Sequence, residues 1–313
     1  MLLKIIAAGV LVPLVLVGLL TFIRKAQYPE KSLLHSFLNV ILGPMRMFKI
    51  GPYKQGKLTL EKAMKYATKK AKLDDFGDLS FLDSYKAIFD TETHKKLKLT
   101  NIGYIMYQIE LNQTMLRRLT FLKYLKDVPA ILNIPVRSPV FVLGLPRTGT
   151  TFLHRLLSLD PAVRAPLLWE LLAPVPKVRG DSNAETFKED CAKRAKAMRN
   201  LIKQRQSMGD HALQHIHEID ADLPEECIMG LTDELPIHLS CLYSAYLNYE
   251  LFLSQNSGKR AVAAYSHYKK LLQLLSYQIG EATNPRRWVL KCPIHLFYIK
   301  EIAEVFPDAK IVW

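Results

Sequence analysis

The sequence predicts an α/β fold: a P-loop-like parallel sheet flanked by helices, with an N-terminal helical subdomain and a single transmembrane helix. Three observations predict it. An uncharged apolar run occupies residues 5–23. Through residues 31–137 apolar side chains recur at every third and fourth position, the period of a helix. From Pro139 onward short apolar runs that end in turn residues alternate with helical patterns, as strands and crossover helices of a parallel sheet do. The chain therefore divides into residues 1–30 (anchor and flank), 31–137 (helical subdomain) and 138–313 (P-loop-like domain).

The first run reads IIAAGVLVPLVLVGLLTFI, with Lys4 before it and Arg24 and Lys25 after it. As a helix rising about 1.5 Å per residue it reaches roughly 28 Å, close to the hydrocarbon thickness of a bilayer. It is long for the apolar region of a signal peptide, and the RKAQYPEK that follows has no small-x-small cleavage site, so a retained single-pass anchor is expected. Two signals disagree about the side of the membrane. Arg24, Lys25 and Lys31 outweigh Lys4 and favour a cytoplasmic domain, whereas the sequon Asn112-Gln113-Thr114 favours a lumenal one in the endoplasmic reticulum or Golgi.

Helical patterns follow in LTLEKAMKYATKKAKL, SFLDSYKAIFD and YIMYQIELNQTMLRRLTFLKYLKD. The lysines from Lys62 to Lys72 read as a solvated helix face, with contact to anionic lipid as the alternative. At Pro139 the pattern changes: PVFVLG is a strand that runs into glycine, proline and threonine and then into the helical FLHRLLSL. Amphipathic helices are expected over 183–208 and 262–279. RRWVLK reads as a second core strand, FYIKEIAEVF as a helix and AKIVW as a third strand. Trp313 falls inside that third strand, from which a C-terminally truncated domain is expected.

With 313 residues, 49% hydrophobic and 23% charged, the composition suits one α/β domain and a smaller appended region. The 43 Lys and Arg against 29 Asp and Glu give a formal charge of +14, which favours an anionic partner such as a nucleotide or a membrane surface. No RNP-like aromatic motif, zinc-finger spacing or long basic groove-binding helix is present, so nucleic acid is excluded as the partner. Cys191, Cys227, Cys241 and Cys292 form no CxxC pair and no Cys/His ligand pattern, and no metal is expected. Buried thiols and disulfides both remain open.

The segment Gly144-Leu145-Pro146-Arg147-Thr148-Gly149-Thr150-Thr151 has the spacing of a P-loop, GxxxxGK followed by Ser or Thr, except that threonine replaces the lysine. Backbone N–H groups converging at a helix N-terminus still make an anion site, and glycine lets the main chain approach closely. The missing lysine and the lack of an apolar strand ending in aspartate, the usual magnesium partner, argue against ATP hydrolysis. A sulfuryl group in transfer carries less negative charge than a phosphoryl group. Arg147 and the hydroxyls suit it without a magnesium site.

The run LGLPRTGTTFLHRLLSLDPAVRAP resembles the 5'-phosphosulfate loop and helix of the sulfotransferase superfamily. It is similar to the bacterial-type branch, related to the tyrosylprotein and carbohydrate sulfotransferases, and the resemblance extends from Pro139 to Trp313. It implies that Arg147, Thr148, Gly149, Thr150 and Thr151 contact a 3'-phosphoadenosine-5'-phosphosulfate co-substrate. It also implies transfer to a hydroxyl of a lipid, sterol, glycan or tyrosine acceptor, without a metal. The residues that read the donor's 3'-phosphate in this family follow the third strand and would fall beyond Trp313.

Sulfuryl transfer to an alcohol needs a base for the acceptor proton and positive groups for the leaving phosphate. Glu170 in LLWELLAPVP stands about where the related branches carry a glutamate base, and its alternative is a capping carboxylate. Lys291 ends the second core strand, where active sites of open α/β sheets gather, and resembles the family's lysine in its K-x-P element. Pro293 stands where the cytosolic branch has its catalytic histidine, which leaves His295 as an alternative base or a structural residue. His217, Glu225 and Glu226 in HEIDADLPEEC form an acidic cluster suited to acceptor positioning or to helix capping. Two other functions compete with transfer: an inactive membrane-tethered binding protein, and a P-loop kinase, which the loop disfavours.

Overall fold

The computed structural model describes residues 33–54, 58–89, 99–179, 184–207, 218–236 and 256–313. Among these no helix is long and apolar enough to cross a membrane; the apolar run 5–23, read above as the anchor, lies outside them. The chain forms two compact units, one of residues 1–58, 98–110 and 199–219, the other of 59–97, 111–198 and 220–313.

In the first unit α1 (Leu33–Met47) runs through Pro44 and is followed by a 3-10 turn over Gly51–Tyr53. Arg46 donates to the Leu99 carbonyl at 2.8 Å and to Asn101 Oδ1 at 3.1 Å, and Asn101 donates back to the Asn39 carbonyl at 2.7 Å. The Tyr53 ring lies 5.1 Å from that of Tyr104. Helix α1 falls within the stretch 31–137 read as helical, although its bounds were not among the patterns named there.

The second unit contains α2 (Leu60–Ala71), α3 (Phe81–Phe89) and residues 111–127 of the long α4 (Asn101–Asp127). Thr59 caps α2 by accepting from Lys62 N, and Lys72 closes it in the left-handed region at φ 55°. Only Ala63 and Ala67 of α2 are buried, so Lys65, Lys69 and Lys70 line its outer side. α2, α3 and most of α4 belong with the sheet, because buried Arg118 donates to Glu234 at 2.5 Å and to the Phe76 carbonyl at 2.9 Å. The sequon lies within α4, with Asn112 half-buried, Gln113 exposed and Thr114 buried.

The sheet consists of β1 (Val140–Val142), β2 (Val163–Arg164), β3 (Arg287–Lys291) and β4 (Lys310–Val312), all parallel, in the order β2-β3-β1-β4. Val142 is in register with Lys291 on one side and Val312 on the other. Between the strands lie α5 (Thr150–Leu157), α6 (Leu168–Leu172), α7 (Glu185–Ser207), α8 (Ile228–Leu231), α9 (Lys259–Tyr277) and α10 (Ile299–Val305). The 3-10 turn Pro293–Phe297 precedes α10, which starts at Ile299 within the stretch FYIKEIAEVF read as a helix. Phe141, Leu143, Trp288 and Leu290 of the sheet bury against Tyr265, Tyr268, Leu271 and Leu275 of α9. Each such side chain contributes about 1.5–3 kcal/mol on leaving water.

Chain order fixes where a ligand sits. From β1 the chain crosses β3 to reach β2, and from β3 it crosses β1 to reach β4. The connections leaving these two adjacent strands thus diverge, which opens a crevice at their carboxyl ends.

Candidate active site

The loop after β1 enters that crevice. Residues 145–149 are exposed, and Gly149 (φ 88°) is the N-cap of α5. Arg147 is itself left-handed at φ 70°, a conformation costing a non-glycine residue about 1 kcal/mol. A left-handed residue just ahead of a helix is one way in which successive amides form an anion-binding concavity. Thr148 Oγ1 donates to the Leu145 carbonyl at 2.7 Å and closes the turn. At Gly144 (φ 156°) a Cβ would stand 2.6 Å from Thr150 Cγ2 and 2.9 Å from Thr148 Oγ1, so the loop closes this tightly only over glycine. The helix behind it is pinned by buried His154, whose Nε2 lies 3.1 Å from the Val289 carbonyl of β3. Burial lowers the His154 pKa to about 4, so the ring is neutral and donates.

Lys291 ends β3 opposite Val142, two residues before Gly144. Its ammonium is buried and paired with the Glu226 carboxylate, whose side chain remains 23% exposed. The backbone holds this pair together: Cys227 N donates to the Lys291 carbonyl at 3.0 Å. Upstream, Glu225 N donates to Pro166 O, Leu168 N to Leu223 O and Trp169 N to Ala221 O. The acidic segment is therefore laced across the carboxyl ends of β2 and β3 rather than forming a solvated helix cap. Glu225 is buried, and His217 lies outside the described residues.

Glu170 is at the same edge but is fully engaged. It is 1% exposed, one oxygen paired with Arg164 and the other accepting from Leu167 N at 2.9 Å, the first turn of α6. Arg164 also donates to the Leu275 carbonyl at 2.9 Å and lies 4.6 Å from the Trp288 ring centroid. His295 is in the core rather than in the crevice. It is 0% exposed, 2.7 Å from the Tyr265 hydroxyl through Nδ1, and edge-on to Phe141 at 5.1 Å. Burial holds its pKa down at about 3, which leaves a weak base with no route to an acceptor. Cys227 and Cys292 are free thiols, and burial raises the Cys227 pKa to about 12. No cluster of metal-ligating side chains occurs among the described residues.

A family model described as "Sulfotransferase family" matches residues 139–313, more than half of the chain. The chain belongs to the sulfotransferase family. Its sulfotransferase relatives include the omega-hydroxy-beta-dihydromenaquinone-9 sulfotransferase Stf3 of Mycobacterium bovis and of Mycobacterium tuberculosis. Each is 30% identical over 174 residues, which are 56% of this chain and 40% of the relative. The chain thus matches less than half the length of these curated relatives. Among solved sulfotransferase structures, STF1 from Mycobacterium tuberculosis superposes with a TM-score of 0.64 and 27% identity, covering 81% of this chain and 66% of that one. STF9 from Mycobacterium avium gives 0.66 and 27%, covering 82% and 62%. The parallel sheet with flanking helices is the α/β sulfotransferase fold.

Of the residues singled out in the sequence, the fold gathers the loop 144–151, Lys291, Glu226 and Glu170 at one sheet edge and sends His295 into the core. The Lys291–Glu226 pair had no signal in the sequence, because 65 residues separate the two.

Proposed function

We propose that the protein transfers a sulfuryl group from 3'-phosphoadenosine-5'-phosphosulfate to a hydroxyl acceptor. The observation that carries this reading is the shared carboxyl edge of β1 and β3, where an exposed glycine-cornered loop stands beside the lysine that ends the next strand. The donor supplies an activated sulfuryl group on a phosphate leaving group. The residues present fit it: amides of 147–151 and the N-terminus of α5 suit the phosphosulfate oxygens, and Arg147 adds the charge that the absent P-loop lysine would give. Lys291 Nζ suits the oxygen on which charge develops as the leaving phosphate departs.

For the acceptor, the name of the Stf3 relative refers to a hydroxylated menaquinone, which supports a hydroxyl-bearing lipid for this protein. The uncharged run 5–23 supports a single-pass membrane anchor that would bring the site near such an acceptor. The test is calorimetric binding of 3'-phosphoadenosine-5'-phosphate together with transfer of labelled sulfate, using the full-length protein and its Arg147→Ala variant. Nucleotide binding weakened about tenfold or more in the folded variant is expected for a lost charge-assisted contact. Failure of the unaltered protein to bind the nucleotide sinks the reading.

A further inference from the structure

Resting on the sulfotransferase reading, we infer that Glu226 is the catalytic base and that Glu170 is a positioning residue. The two glutamates differ in what their oxygens are doing. Glu170 is 1% exposed, and each of its oxygens has a partner, Arg164 on one and the Leu167 amide on the other. To take a proton from a hydroxyl it would have to release a buried arginine that also lies against Trp288 and the end of α9. An uncompensated charge in the core opposes that release.

Glu226 has the opposite arrangement. Its side chain is 23% exposed, one oxygen is on Lys291, and the other has the Cys292 thiol 3.8 Å away, a weak donor. A carboxylate oxygen with so weak a partner is available to an incoming hydroxyl. Its backbone is fixed on both sides, by Glu225 N to the Pro166 carbonyl and Cys227 N to the Lys291 carbonyl, so the carboxylate stays beside the lysine. Glu225, its neighbour, is 3% exposed, and its Oε1 accepts from Glu226 N at 2.8 Å.

The pairing with Lys291 couples two jobs. A Glu226 oxygen removes the proton of the acceptor O–H, and the acceptor oxygen forms a bond to sulfur. The bond from sulfur to the oxygen of the 5'-phosphate breaks, and its electron pair stays on that oxygen, which Lys291 Nζ stabilises. The proton ends on Glu226 and the negative charge on the departing 3'-phosphoadenosine-5'-phosphate. The ion pair thus keeps the proton acceptor and the group that stabilises the leaving oxygen side by side.

The experiment uses the full-length protein and its Glu226→Gln variant, with binding of 3'-phosphoadenosine-5'-phosphate by calorimetry as the readout independent of turnover. Single-turnover transfer of labelled sulfate is followed to water and to farnesol in detergent micelles, farnesol serving as an isoprenoid alcohol. Transfer reduced about 100-fold or more, with nucleotide affinity unchanged within about threefold or tighter, is the expected result for a lost general base. Transfer within about threefold of the unaltered protein overturns the inference. Parallel loss of nucleotide binding also overturns it, since Glu226 would then act only by orienting Lys291. If the unaltered protein binds the nucleotide but transfers to neither probe, sulfuryl transfer itself is the reading that falls.

Discussion

His154 and His295 are held neutral by loss of water rather than by a neighbouring anion. Both depart downward from the ordinary histidine pKa near 6.5, to about 4 and about 3, so the unfolded chain takes up protons first on acidification. Stability is then complete above about pH 6.5 and falls as the pH drops toward 4 and 3, by roughly 3 kcal/mol for His154 and roughly 5 kcal/mol for His295. Urea unfolding at pH 7 and pH 4.5 checks this, and a His154→Asn variant should show a shallower decline. Single residues also mark where sequence reading stops. Glu170 and Glu226 are both glutamates beside apolar residues, and which one is buried depends on Arg164 and on the 220–227 backbone, neither of which a linear pattern displays.

Among elements, the strand-loop-helix unit from Val140 to Leu157 was legible because its apolar run, glycines and helical period are all local. β2 was not, since its two residues in PAVRAP make no run and exist as a strand only through pairing with Arg287 and Trp288. The register of the loop was equally hidden, although it decides the site. Gly144→Ala should weaken nucleotide binding by about tenfold or more: the new methyl displaces Thr150 or Thr148, and groups moved by an ångström lose their orientation. Calorimetry with 3'-phosphoadenosine-5'-phosphate checks it, while the melting temperature separates this loss from unfolding.

In the larger, sheet-containing unit, a buried charge cluster holds sequence-distant pieces together. Glu234 receives Arg118 of α4, Arg260 of α9 and, at 3.3 Å, His267, while Asp233 pairs with Arg117. Arg118 reaches the carbonyls of Phe76 and Asp78, and Arg260 reaches Ser80, which brings the stretch before α3 into the same network. These contacts were illegible in the sequence because each joins residues from 26 to 180 positions apart. Glu234→Ala leaves two buried guanidinium groups uncompensated. It should lower stability by about 3–5 kcal/mol, measured by urea unfolding.

The lacing of residues 221–227 to Pro166, Leu168, Trp169 and the Lys291 carbonyl runs through main-chain groups, and the Glu226 carboxylate adds its pairing with the Lys291 ammonium. Amide-to-carbonyl bonds are indifferent to the side chains they carry, so this ribbon is a fixed mount with exchangeable fittings. Glu226 projects from it to Lys291, and these amide-to-carbonyl bonds do not depend on its carboxylate. Side chains along this stretch can therefore change while the main-chain bonds that hold it in place persist.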